Sequence, residues 1–433
     1  MNILIKNIRM LVNAGTPRCD TPVGDIYIKD EYIASLNTPP EGFKADRVID
    51  GTDKLAIPGL VNSHTHSYMS VFRNLADDLS FDDWLFKSIM PREDIMQPEE
   101  GYWGAMLSCM EMLKSGTTCF MDMHIFPGMT AAAADKLGLK AVMTRGLVGS
   151  DRHDEGGIRR MREHMEEREK FKDNPRIKFK LGPHAIYTCG EDYLRWVAET
   201  AHETHQQIHI HLSETSGEVQ NCYKEHGKSP VEYLNDMGFF DIPTAAAHCV
   251  HVSEGDMDIM AQKGVSVLHN PKSNLKLANG TAPVPRMIER GINVCIGTDS
   301  QASNNTLNMF SDMNFAALLP KGATAVPTVC AANEVLKFAT VNGAKALEFP
   351  DSGEIAPGKK ADIAILDLNR PEFYPRVNLP AALVYSANGS EVETVLIDGR
   401  VVLENGHLPD VDEEEIYAKV QEAANRMNAD RGK

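Results

Sequence analysis

Histidines and carboxylates recur in this chain at spacings that suit metal chemistry. The stretch VNSHTHSYMS, residues 61–70, carries His64 and His66 one residue apart, directly after an apolar run. Alternate strand side chains share a face, with Cα atoms ~7 Å apart, so two such imidazoles can converge on one ion. Packing is the alternative for the pair taken alone. Further along, His184, His211, Glu214, His248, His269 and Asp299 all fall at or near the ends of short apolar or β-branched runs. A third imidazole from His211 and a carboxylate from Asp299 would complete a borderline-hard site with room for water, as catalytic zinc or iron centres require. His209 shares the face of His211 and is its rival, although it lies deeper and is expected to fill an interior layer. Metal-bound water is nucleophilic near neutral pH, and the reaction then needs a base and an acid. Asp299 suits the first role. Glu214, three residues past His211, suits the second as a proton shuttle, and His248 is placed to orient the hydroxide. An N-cap within SETSGE is the alternative for Glu214.

Short strands alternating with amphipathic helices would bring these residues together. Eight strand candidates cover 59–66, 116–123, 140–147, 176–184, 207–214, 244–251, 265–271 and 292–300, with helices such as 155–171 and 190–205 between them. That pattern predicts a (β/α)8 TIM barrel over residues 58–356, with its chemistry at the carboxyl ends of the strands. One long insertion, 67–97, follows the first strand. Lys178 and Lys180 lie in the fourth; Lys180 is ~13 Å below His184 along the strand, which favours one metal and makes both lysines structural. The chain ends, 1–57 and 357–433, read as strands that form a small β-sandwich from both termini, with Asp398 and Gly399 in a hairpin turn and a final helix over 412–429.

Composition limits the partners. The 433 residues are 42% hydrophobic and carry a net charge of −17, which opposes nucleic-acid binding and favours a small-molecule substrate. Eight cysteines without a repeated spacing suggest a reducing compartment rather than a disulfide framework. No segment is apolar enough to span a bilayer, and the opening residues do not read as a signal sequence, so a cytoplasmic protein is expected. Large barrels often associate, so a homo-oligomer is expected too.

The motifs PGLVNSHTH, HLSET, AAHCVH, HNPKSNLKLANGTAPV and GTDSQASNN, in this order, resemble the amidohydrolase superfamily, in particular its branch of 5-methylthioadenosine/S-adenosylhomocysteine deaminases and chlorohydrolases. The resemblance covers nearly the whole chain. It implies one metal per subunit, zinc or alternatively iron, held by His64, His66, His211 and Asp299, with Glu214 and His248 as catalytic partners. It further implies hydroxide attack on carbon 6 of adenine, protonation of the ring nitrogen by Glu214, and loss of ammonia. Trp84 and Glu93 resemble the residues placed on the nucleoside and its ribose. Arg145 and Arg159, or Arg160 if the register slips, resemble those that meet an amino-acid carboxylate; His184 and Ser303 complete the implied substrate contacts. The alternatives are a chlorohydrolase or a guanine or pterin deaminase on the same scaffold, and a non-catalytic scaffold.

Overall fold

The computed structural model describes residues 1–409 and 411–429. Five short strands open the chain: β1 (Asn2–Met10), β2 (Val23–Lys29), β3 (Tyr32–Leu36), β4 (Arg47–Asp50) and β5 (Lys54–Pro58). In β1 the buried side chains are Ile3, Ile5, Ile8 and Met10. The step of three between Ile5 and Ile8 is a bulge at Lys6 and Asn7, with Asn7 at φ 56°, and it returns Ile8 to the inner face.

The central strands are β6 (Leu60–Thr65), β7 (Thr117–His124), β8 (Lys140–Leu147), β9 (Ile177–Phe179), β10 (Gly182–Pro183), β11 (Ile208–Leu212), β12 (Thr244–His248), β13 (Ser266–His269) and β14 (Asn293–Ile296). All pair in parallel. One sheet runs β6, β7, β8, with β9 and β10 both on β8, and the other runs β11 to β14. Two single bridges, Leu181 with Ile208 and Thr65 with Asp299, close them into a TIM barrel. The His209 amide donates to the Leu181 carbonyl at 2.9 Å, and the Asp299 amide to the His64 carbonyl at 2.9 Å. The eight expected strands are present, except that the fourth is broken into β9 and β10 at Lys180 and Leu181, where Leu181 pairs instead with Ile208. The eighth stops at Ile296, short of Asp299.

Strands β15 (Ile363–Asp367), β16 (Val392–Ile397) and β17 (Arg400–Leu403) return to the amino-terminal part. The order β17-β16-β15-β5-β1-β2-β3, with β4 on β1, joins both chain ends in one path around a core that includes Ile3, Ile26, Ile363 and Leu396. Asp398 at φ 47° and Gly399 at φ 68° form the expected hairpin turn, where both residues must adopt positive φ. The final helix, Glu413–Ala429, buries Ile416, Val420, Ala423 and Met427 and is held to helix Pro98–Lys114 by ion pairs from Lys114 to Glu413 and from Arg426 to Glu100. No described helix is long and apolar enough to cross a membrane.

The barrel and the terminal sheet are joined by a buried charge cluster. Lys140, at the start of β8, reaches Asp362 at 2.6 Å and Asp398 at 2.8 Å and donates to Ser352 Oγ at 3.2 Å. Removing the cation strands two carboxylates in a low-dielectric site. Lys140→Met is expected to cost about 3–5 kcal/mol, read as a lower denaturant midpoint.

Candidate metal centre and active site

The mouth of the barrel is built on proton placement. Thr144 Oγ1 donates its one proton to the Asp122 carbonyl at 2.9 Å, so at 3.3 Å it accepts from His209 Nδ1. His209 Nε2 is therefore a lone pair, and at 2.9 Å it accepts from His64 Nδ1. This leaves His64 Nε2 unprotonated, fully buried and, among the described residues, without a hydrogen-bond partner. His66 Nδ1 donates to the Met123 carbonyl at 2.9 Å and His211 Nδ1 to the His184 carbonyl at 2.8 Å. Their Nε2 atoms face each other at 3.2 Å, so that when both rings carry a single proton, on Nδ1, two lone pairs meet there. Asp299 Oδ2 accepts from Ser273 at 2.6 Å and Ser303 at 3.0 Å, while Oδ1 lies 3.6 Å from His64 Nε2 and 3.5 Å from His66 Nε2.

Convergent lone pairs with nothing to accept are what a cation satisfies. Two overlapping donor sets, His64 with His66 and Asp299, and His64 with His211 and His248, each fall within 4.8 Å. Burial, reinforced by the neighbouring rings, holds His64 and His211 well below the usual imidazole range, so both stay neutral. The residues present fit a divalent metal with nitrogen and oxygen ligands. Lys178 and Lys180 take no part: Lys178 donates to the Glu348 carbonyl, and Lys180 to Gln207 at 2.7 Å and the Ala346 carbonyl at 2.5 Å.

Two titratable side chains, Glu214 and His248, stand beside these donors. Glu214 Oε2 lies 3.7 Å from His248 Nε2, and Asn279 donates to Glu214 Oε1 at 2.9 Å. Burial raises the Glu214 carboxyl, offset in part by His248. Burial pulls His248 down, but Glu214 and Asp299 more than offset it, so its imidazole ends above the ordinary value. Thr215, not Glu214, caps the following helix, accepting from the Glu218 amide at 3.1 Å. Glu218 reaches back to the amides of Ser213 at 2.9 Å and Glu214 at 2.8 Å, and burial pushes its carboxyl up to about 7. Ser213, His248 and Asp299 sit at φ 49°, 73° and 60°. Positive φ is rare for such residues and gathers at functional sites.

A cavity of about 350 Å³ opens above these groups. His66, His211, Glu214, His248 and Asp299 form its floor, and Trp84, Glu93, Arg145, Arg159, Arg160 and His184 are among its other lining residues. Trp84 is fixed by donating to the Ala302 carbonyl at 3.2 Å. The Tyr68 hydroxyl donates to the Glu93 carboxylate. Arg145 is already engaged by Glu163 at 3.1 Å. Arg159 is 58% exposed and 3.6 Å from the same glutamate, whereas Arg160 donates to the Val148 carbonyl at 3.2 Å. One expectation changes. Ser303 does not line the cavity; its hydroxyl is buried behind Asp299 and orients that carboxylate. His269 is buried outside the lining, with neither ring nitrogen partnered. His209, expected only to fill an interior layer, fixes the tautomer of His64, and two contributors had no expected role: Tyr68 holds Glu93, and Glu218 holds the Glu214 backbone. For His209 the signal was its place on the His211 face, and for Glu218 its position three residues after Thr215.

Residues 55–402 match the Amidohydrolase family. The chain is 45% identical over 439 residues, 99% of each chain, to a 5-methylthioadenosine/S-adenosylhomocysteine deaminase of Thermoanaerobacter pseudethanolicus. It is 44% identical over 425 residues, 98% of each chain, to a 5′-deoxyadenosine deaminase of Methanothermobacter thermautotrophicus. An adenosine deaminase from Xanthomonas campestris, solved with bound zinc, superposes with a TM-score of 0.93 at 30% identity, covering 99% of this chain and 98% of that one.

Loss of a ligand and loss of the proton relay are expected to differ in degree. His211→Ala should abolish stoichiometric metal binding by elemental analysis, whereas His209→Leu should weaken affinity about 10- to 100-fold in chelator competition. Full affinity in the His209 variant would show that the relay does not hold His64.

Proposed function

The chain belongs to the amidohydrolase family, and from that premise we propose that it is a metal-dependent hydrolytic deaminase of adenosine-type nucleosides. Its substrates are 5′-methylthioadenosine, S-adenosylhomocysteine, adenosine or 5′-deoxyadenosine, in line with the activities named for its relatives. The carrying observation is that three of the metal donors, His66, His211 and Asp299, open onto one cavity together with Glu214, His248 and Glu93.

His64, His66, His211 and Asp299 would hold the ion, zinc by analogy with the zinc-bound relative. When bound, such an ion supplies Lewis acidity that makes water a nucleophile near neutral pH. The chain's own residues carry the protons. Asp299 takes the proton released as water adds to carbon 6 of the purine, and His248 is placed to orient that water. Glu214, its carboxyl raised by burial, protonates the ring nitrogen and so lets the ring accept the electron pair. Asp299 then passes its proton to the exocyclic amine, which leaves as ammonia, while the hydroxyl proton remaining on carbon 6 returns to Glu214, and the product is the inosine analogue. Trp84 packs on the nucleoside and Glu93 accepts from the ribose hydroxyls. Arg145, with Arg159 or Arg160, faces the 5′ substituent, where a guanidinium suits an amino-acid carboxylate. His184 borders the same space. Eight free cysteines, seven of them buried, suit the reducing cytoplasm, and association into a homo-oligomer belongs to the same reading.

Metal-loaded protein is expected to release ammonia from at least one of the four nucleosides. Turnover of a chlorotriazine, guanine or a pterin with none of these nucleosides attacked would overturn the reading. Glu214→Gln should lower kcat by roughly 10²- to 10⁴-fold while metal content stays at the wild-type level. Glu93→Gln should instead raise KM for ribonucleosides about tenfold or more, because a charged hydrogen-bond partner is lost.

A further inference from the structure

Glu93 rides on the insertion after β6. It ends the four-residue helix Met90–Glu93, next to Phe86 and Met90, which are 47% and 40% exposed. Among the described residues its carboxylate receives one side-chain hydrogen bond, from the Tyr68 hydroxyl. A half-buried carboxylate with three rotatable bonds needs such an anchor to hold a single orientation in the unliganded protein.

Tyr68 has the opposite character. It lies two residues after His66 in the turn Ser67–Phe72 and is 3% exposed. Its backbone is pressed so closely on helix Pro98–Lys114 that a Cβ at Gly104 would stand 2.5 Å from the Tyr68 carbonyl oxygen. Ser70 locks the same turn by donating to the Gly104 carbonyl at 2.7 Å. The phenol ring is wedged against His124, with ring centres 4.1 Å apart, and edge-on to Phe72 at 6.5 Å. Both Tyr68 and Glu93 face the cavity.

We propose that Tyr68 is a positioning residue for sugar recognition: its hydroxyl ties Glu93 to the wall of the barrel, so that the other carboxylate oxygen is presented to the ribose hydroxyls. The phenol is built on the segment that carries His66, so this one bond sets the distance between the metal donors and the sugar-binding group. It gives the site a preference for nucleosides that keep their 2′ and 3′ hydroxyls. The inference rests on the nucleoside reading above and adds the residue that makes Glu93 selective.

The test compares Tyr68→Phe with wild type on 5′-deoxyadenosine and on 2′,3′-dideoxyadenosine, with Glu93→Gln and the double variant alongside. The phenylalanine keeps the ring packing and removes only the oxygen. The expected result is a rise in KM for 5′-deoxyadenosine of about tenfold, as for loss of a charged hydrogen bond. The dideoxy analogue should change little, metal content should stay at wild-type level, and the second substitution should add nothing in the Glu93→Gln background. An unchanged KM, an equal loss on both nucleosides, or a fall in kcat with KM constant would each overturn the positioning role while leaving the deaminase reading intact. If wild-type protein treats the two nucleosides alike, the role of Glu93 falls and that of Tyr68 with it. If wild type deaminates neither of these, nor 5′-methylthioadenosine, S-adenosylhomocysteine or adenosine, the deaminase reading itself fails.

Discussion

Everything at the barrel mouth depends on where three imidazole protons are held. His64, His66 and His211 each give up the Nδ1 proton to a fixed acceptor, and each therefore turns an Nε2 lone pair into the same small volume. The acceptors differ in kind. Two are carbonyls at the ends of β7 and β10, whereas the third is His209, oriented in turn by Thr144. Lone pairs gathered in a buried site are costly without a cation, so this arrangement is organised around the ion it would bind.

Barrel closure supplies the remaining donor. The bridge between Thr65 and Asp299, together with Asn62 hydrogen-bonded to Thr298, brings the first and last strands together and sets Asp299 against His64 and His66. The approach is so close that a Cβ at Gly297 would lie 2.7 Å from that of His64, which accounts for glycine there. Asp299, His248 and Ser213 occupy positive φ at the rim, and strain of this sort costs about 1–3 kcal/mol per residue. The large apolar core beneath and the Glu218 clamp on Ser213 and Glu214 hold these residues in place.

Above this floor the cavity changes character. Its lower part is an array of titratable groups, and its wall is formed by Trp84, Glu93 and their neighbours on the insertion. The floor is rigid because it belongs to strand ends. The wall is positioned by a few contacts: Trp84 on the Ala302 carbonyl and Glu93 on Tyr68. The chemistry is thus separated from substrate choice, as expected where one barrel serves many reactions through its loops.

Local pattern alone carried much of this. Eight alternating units, the sheet shared between the chain ends and the Asp398–Gly399 turn were legible because period-two burial, helix periodicity and turn chemistry are properties of neighbouring residues. So was the convergence of His64 with His66, since strand alternation puts them on one face. Three features were not legible in this way: the break in the fourth strand, the place of Ser303 behind Asp299, and the tautomer chain through Thr144, His209 and His64. Glu93 could be assigned a sugar-binding role from the resemblance, but nothing in SYMS pointed to Tyr68 as its partner, 25 residues away. Which residues can do chemistry is written in residue type and short-range period. Which proton sits on which nitrogen, and what holds a carboxylate still, is decided by contacts between segments that only the closed barrel brings together.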